Sequence, residues 1–215
     1  MNNNLFEAQY DITKKSKAKI FYESYRKLIF VSILILTASL ISFGFYIDNK
    51  DKKKILLSEN YVKAQIYLKN KKNNEALNLL KEIITSNDTT YSSLSLFMVL
   101  NENLIKDNKE LNVLFNHLLN NNKFDEELKN LLIYKKALYI SSYVNESKLI
   151  EDTKSLIQKE SIWRAHALLL LGDFFYSKSE FIKSKEFYNE VLLTKELQES
   201  LYNQAKSKLL LIKND

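Results

Sequence analysis

Three features of this chain predict an all-α fold: one N-terminal transmembrane helix, then an α-solenoid of about four helix hairpins plus a closing helix. First, residues 28–47 read LIFVSILILTASLISFGFYI, without a single charge. About twenty apolar residues, at about 1.5 Å of rise each, match the hydrocarbon thickness of a bilayer. A backbone inside lipid must satisfy its own polar groups, which a helix does. Second, the 215 residues include no Pro and two Gly. Strands need turn residues at each reversal, so their scarcity favours helices joined by short polar loops. Third, apolar residues recur at spacings of three and four from position 55 onward, the signature of amphipathic helices.

Taken in order, residues 1–27 form a polar, basic tail on the cytoplasmic side. Residues 11–27 can make a short interfacial helix with Ile20, Phe21, Tyr25 and Leu28 on one side. The apolar run follows at 28–47, with Ser32, Thr37, Ser39 and Ser42 as its only polar interruptions before Tyr46. A buried core helix would usually keep a polar face. A cleavable signal peptide has an apolar part of about 7–15 residues ending in a small-x-small site. This run is longer, ends in Gly44-Phe45-Tyr46-Ile47-Asp48 and has 27 residues before it, so it reads as an uncleaved anchor. Lys14, Lys15, Lys17, Lys19, Arg26 and Lys27 precede it; Lys50, Lys52, Lys53 and Lys54 follow. Six against four places the N-terminus in the cytoplasm by the positive-inside rule. The C-terminal part then lies across the membrane, in the periplasm of a Gram-negative cell.

Residues 48–56 open with DNKDKKK and read as a charged spacer. The helical domain occupies 57–215, with helices expected at 57–70, 73–86, 90–105, 108–121, 125–143, 146–159, 161–177, 180–193 and 197–213. Polar clusters such as Lys71-Lys72-Asn73-Asn74, Ser86-Asn87-Asp88 and Asn120-Asn121-Asn122 mark the breaks. Leu77, Leu80, Ile83 and Ile84 make one apolar face; Leu111, Leu114, Phe115 and Leu118 make another. Leu201, Ala205, Leu209 and Ile212 give the closing helix its inner face, which an array needs to cover its last pair.

The formal charge of +6 is not spread evenly. Residues 1–54 hold ten Lys and Arg against five Asp and Glu, and residues 55–215 hold 22 against 21. The basicity is juxtamembrane, where it sets topology and can touch anionic lipid. The rest is a nearly neutral, mixed surface, unlike a nucleic-acid stripe. No Cys means no disulfide, thiolate metal site or cysteine nucleophile. Two Gly, one of them in the anchor, cannot build a phosphate cradle. His117 and His166 fall in different hairpins, and His117 reads as solvated or satisfied. Asp125-Glu126-Glu127 opens a helix, where acids favour the dipole, and Glu151 and Asp152 read as a wet face. No nucleophile, base and orienting group form a set. The expectation is a protein that is not an enzyme, with no cofactor, no metal and no small-molecule substrate.

An internal period is visible. Gly172 and Ser184 lie twelve apart, with Phe175, Phe181, Tyr188 and Val191 around them; Ala64 and Ala76 repeat the spacing. Small residues at such positions let two antiparallel helices approach. Val99 with Leu111 and Ala137 with Leu149 complete four units, stepped by 35, 38 and 35 residues. The middle units carry a large residue at the second place, so their hairpins are expected to splay or to shift register. These spacings resemble the tetratricopeptide repeat, a helix pair of about 34 residues.

Tail, anchor, spacer and degenerate tetratricopeptide-like array together resemble the YfgM-type ancillary subunits of the SecYEG translocon, in an alphaproteobacterial form. The most specific stretch is Ile162-Trp163-Arg164-Ala165-His166-Ala167, then Leu169-Leu170-Leu171-Gly172-Asp173, Lys185-Glu186-Phe187-Tyr188 and Leu201-Tyr202-Asn203-Gln204-Ala205-Lys206. That family often has Pro before the closing helix and Arg in its first turn. Here those places hold Gln198 or Glu199, and Tyr202 or Asn203. The resemblance implies an inner-membrane protein whose helical domain meets the translocon and a membrane-anchored periplasmic chaperone.

The candidate partner-binding residues are Trp163, Arg164, His166, Asp173 and Tyr176. Trp163 is the one tryptophan, and it either packs at a junction of hairpins or anchors a partner, as Trp and Arg do at binding hot spots. First helices line the concave side of such arrays, which would present His166, Asp173 and Tyr176. The expected function is a non-catalytic, membrane-anchored adaptor joining the translocation channel to periplasmic chaperones or emerging polypeptides. The alternatives are a scaffold for envelope assembly or division, a regulator sequestering a signalling protein, and an accessory subunit of an enzyme.

Overall fold

The computed structural model describes residues 17–213, and all secondary structure in them is helical. Residues 11–16 of the expected interfacial helix lie outside that range. Helix α1 runs Lys17–Lys69. The chain divides into two units, Met1–Ile55 and Leu56–Asp215.

The first unit holds the apolar run. Within it, Phe21 and Tyr25 pair at 4.9 Å between ring centres. From Leu28 to Ile47 most large apolar side chains are exposed, which is unlike a core helix. The helix is long and apolar enough to cross a membrane, a test that a signal sequence also passes.

The expected spacer is not a break between two helices. Residues 48–56 are helical, and the helix expected at 57–70 is the end of α1. No Gly or Pro interrupts this stretch, Lys is a good helix former, and Lys52 pairs with Asp48 one turn away at 2.7 Å.

In the second unit, α1 is followed by α2 (Asn73–Ile84), α3 (Thr89–Asn101), α4 (Asn108–Asn121) and α5 (Glu126–Ile140). Then come α6 (Glu146–Ile157), α7 (Ile162–Ser177), α8 (Phe181–Leu192) and α9 (Glu199–Lys213). They form antiparallel pairs in the manner of a helical repeat. The starts of α3 to α6 are set by side-chain caps. Asp88 accepts from the N–H groups of Thr90 and Tyr91, Asp107 from Lys109, Asp125 from Leu128 and Asn145 from Lys148. Several ends share one closure. Lys71, Asn103 and Ser179 have φ of 59°, 49° and 61°. After each, the next N–H reaches back to the end of the preceding helix: Lys72 to Tyr67 O, Leu104 to Val99 O and Glu180 to Phe175 O. This is the Schellman closure, built here without glycine.

The core runs along the array in three clusters. Ala64, Leu80, Ile84, Leu96, Val99, Leu111, Phe115, Leu118 and Leu132 join the end of α1 to α5. Ala137, Ile140, Leu149, Leu171 and Phe175 join α5 and α6 to α7. Leu168, Tyr188, Val191, Leu201, Ala205 and Ile212 close the array under α9. The twelve-residue spacing has its cause in α7 and α8, where Ser184 Oγ donates to Gly172 O at 2.8 Å. Ala64 and Ala76 are both fully buried. In the second pair, α3 and α4 meet over a much shorter length than α7 and α8 do.

One polar reading is corrected. Asp152 does not lie on a wet face: its side chain is 12% exposed and pairs with Lys136 of α5 at 3.4 Å and with Lys148 at 3.2 Å. The sequence period of α6 cannot show that a lysine faces it from the neighbouring helix.

Candidate functional site

First helices of successive pairs lie side by side: α5 touches α7, and α7 touches α9. On the face they share, Tyr134 of α5 meets two side chains of α7. Its ring is 5.6 Å from Trp163, nearly parallel, and 5.5 Å from His166; Trp163 and His166 are 5.4 Å apart. Trp163 and His166 are one turn apart on α7, so both rings reach the same neighbour. All three are half-buried. Leu138, one turn after Tyr134, extends the patch with 44% of its surface exposed. A second ring pair, Tyr61 with Tyr91 at 6.0 Å, bridges α1 and α3 in the same way.

The polar edge of the patch lies one to two turns on. Asp173 accepts a hydrogen bond from Tyr188 Oη at 2.6 Å and pairs with Lys208 of α9 at 2.9 Å. One carboxylate thus ties α7 to both α8 and α9. Burial, with the Asp173 charge added, pushes the Tyr188 phenol far above its ordinary value and raises that of Tyr134. His166 is pushed below its ordinary value, chiefly by burial and then by the nearby Lys135 cation. It is therefore a neutral imidazole at pH 7. The indole Nε1–H of Trp163 is buried and finds no acceptor among the described residues. Such a donor costs about 1–3 kcal/mol.

Of the five residues singled out from sequence, the structure brings Trp163 and His166 together and sets Asp173 along the same helix. Arg164 works elsewhere. Its Nε donates to Ile157 O, an orphan carbonyl at the end of α6, and its guanidinium lies 3.7 Å from Glu190 of α8. It clasps three helices. Tyr176 packs on Phe181 of α8 at 5.7 Å and does not join the ring cluster. Tyr134 and Lys208 belong to the site and escaped sequence reading, because each sits on a helix whose own pattern gives it no distinction. His117, expected to be satisfied or solvated, makes a 2.9 Å hydrogen bond with Asn87 in the α2–α3 turn.

The arrangement offers flat, polarisable, half-covered surface with one balanced charge pair. It can grip apolar or aromatic side chains. Among the described residues no group of three His, Cys, Asp or Glu could hold a metal ion. Comparison of the chain with protein families, curated proteins and solved structures finds no match.

Proposed function

We propose that this chain is a non-catalytic, membrane-anchored adaptor. Its N-terminal helix spans the inner membrane once, with the N-terminus in the cytoplasm, and its helical array works in the periplasm. The array joins a SecYEG-type translocon to a membrane-anchored chaperone or to an emerging polypeptide, as the resemblance to YfgM-type subunits implies. The observation that carries this reading is the ring-lined face of α5 and α7. Tyr134, Trp163 and His166 are half-buried there, packed on one another with part of their surface open to solvent. Aromatic side chains of this kind supply much of the energy of protein–protein contacts. Anchoring raises the effective concentration of that face beside a membrane partner, with no further contact needed.

The test is affinity purification of the full-length chain from membranes in mild detergent, beside a version in which a foreign apolar segment replaces residues 28–47. Translocon subunits recovered with both support the adaptor and assign the contact to the helical array. Recovery with the native segment alone assigns it to the bilayer. Recovery of wall-synthesis or signalling proteins in place of the translocon supports the scaffold or the regulator instead.

A further inference from the structure

His166 brings to the ring-lined face a chemistry that its two neighbours lack. Its ring is half-buried, 5.5 Å from Tyr134 and 5.4 Å from Trp163 between centres. Rings this close touch one another and leave no room for a ligand between them, so the trio is a surface and not a cage. Neither imidazole nitrogen hydrogen-bonds to a described residue, and neither is among the polar atoms sealed from solvent. Water is therefore the partner of both. A body that covers the face takes that water away. The neutral imidazole then gives up one donor and one acceptor, whereas the imidazolium gives up two donors and the hydration of a charge. Burying an unpaired charge costs far more than burying a neutral polar ring.

The neighbouring helices supply no free counter-charge. From α5 come the Tyr134 phenol, which burial keeps protonated, and the exposed Lys135, a cation like the imidazolium itself. On α7, Asp173 is already engaged by Tyr188 of α8 and Lys208 of α9, and Arg164 turns to Glu190 of α8. On α6, Glu151 and Asp152 pair with Lys148, and Glu146 with Lys183 of α8. The faces of Tyr134 and Trp163 attract a cation. Burial and Lys135 prevail even so, and hold His166 below its ordinary value while the face is open. An apolar cover acts in the same direction.

We propose that His166 makes the grip of this face depend on pH: with the imidazole neutral the face holds an apolar, uncharged polypeptide segment, and protonation releases it. The switch rests on the reading of the ring-lined face as a partner surface. The segment is uncharged because the face meets it with three neutral rings and Leu138, and its one carboxylate is already paired. Affinity is full above the ordinary histidine range, about pH 6.5, and falls as the open face takes up a proton that the covered face refuses. An acidic segment would do the opposite, since it gains from both the imidazolium and Lys135.

Trp163, the one tryptophan of the chain, reports directly on this face. The test is a titration of its emission in the full-length chain, held in a non-ionic detergent, with a ten-residue peptide of leucine, phenylalanine and serine. The peptide is blocked at both ends, so it carries no charge at any pH. It should bind about fivefold more weakly at pH 5 than at pH 7.5. In His166→Gln the affinities at the two pH values should be equal. His117→Gln, which removes the other histidine, on α4, should keep the full pH dependence. Lys135→Gln takes away a like charge and should move the midpoint to higher pH. Binding by the unaltered chain that is equal at both pH values, tighter in acid, or still pH-dependent in His166→Gln overturns the switch and leaves the face as a partner surface. No binding at either pH overturns the reading of the face as a grip for polypeptide, and the switch with it. Should His166→Gln fail to fold by circular dichroism, the midpoint of Lys135→Gln at its exposed position decides.

Discussion

Gly172 is the position where one atom decides a helix pair. A Cβ added there would stand 2.5 Å from Tyr188 Cδ1, inside contact distance of a ring that is itself fully buried. Gly172→Ala should therefore destabilise the array by about 1–3 kcal/mol, despite the better helix propensity of Ala, as thermal or urea unfolding would show. Tyr188→Phe should cost less, about 1 kcal/mol, because Asp173 keeps Lys208 when the phenol is lost. His166 gives the array a pH signature. Its folded pKa lies below the ordinary value, so above about pH 6.5 both folded and unfolded states hold it neutral and stability is complete. As pH falls from there, the unfolded chain takes the proton more readily and stability drops until the folded pKa is passed. His166→Gln should flatten the fall in melting temperature between pH 7 and pH 5; an equal slope in both proteins would assign that fall to other groups.

At the scale of elements, the helix bounds of the array lie close to those expected, since polar clusters and Asp or Asn caps punctuate the chain where it turns. Asp88→Ala, which leaves two backbone donors of α3 without an acceptor, should cost about 1 kcal/mol in the same unfolding measurement. Two features escaped, one within α1 and one between facing helices. The continuity of α1 through residues 48–56 escaped because charge was read as a spacer, although nothing there breaks a helix. The pairing of Asp152 with Lys136 escaped because the two lie sixteen residues apart on neighbouring helices. That pair invites a sharper test. Asp152→Ala leaves Lys136 buried without its counter-charge and should cost about 3 kcal/mol or more. Replacing both, Lys136→Met with Asp152→Leu, should recover most of the loss. A double variant as unstable as the single one would mean that shape, not charge, holds α5 to α6.

At the scale of the molecule, the order of elements was legible: an apolar run, four helix pairs and a closing helix. Small residues twelve apart, Gly172 and Ser184, bring α7 and α8 together, and α9 covers Tyr188 and Val191 with Leu201, Ala205 and Ile212. Removing α9 should expose that core and drive the chain into aggregates, measurable by light scattering. The candidate site was legible only by half. Trp163 and His166 stood out as rare residues, whereas Tyr134 became distinctive through the contact between α5 and α7. The proposed adaptor role requires this ring-lined face to meet a partner at the membrane. Its most direct test is site-specific photo-crosslinking in cells, with a photoreactive amino acid in place of Leu138 or Trp163 and, as control, of Val113 on the outside of α4. Adducts with a translocon subunit or a periplasmic chaperone are expected from the first two positions and none from the third. The same adducts from all three positions, or none from Leu138 and Trp163 in a chain that is folded and in the membrane, would contradict it.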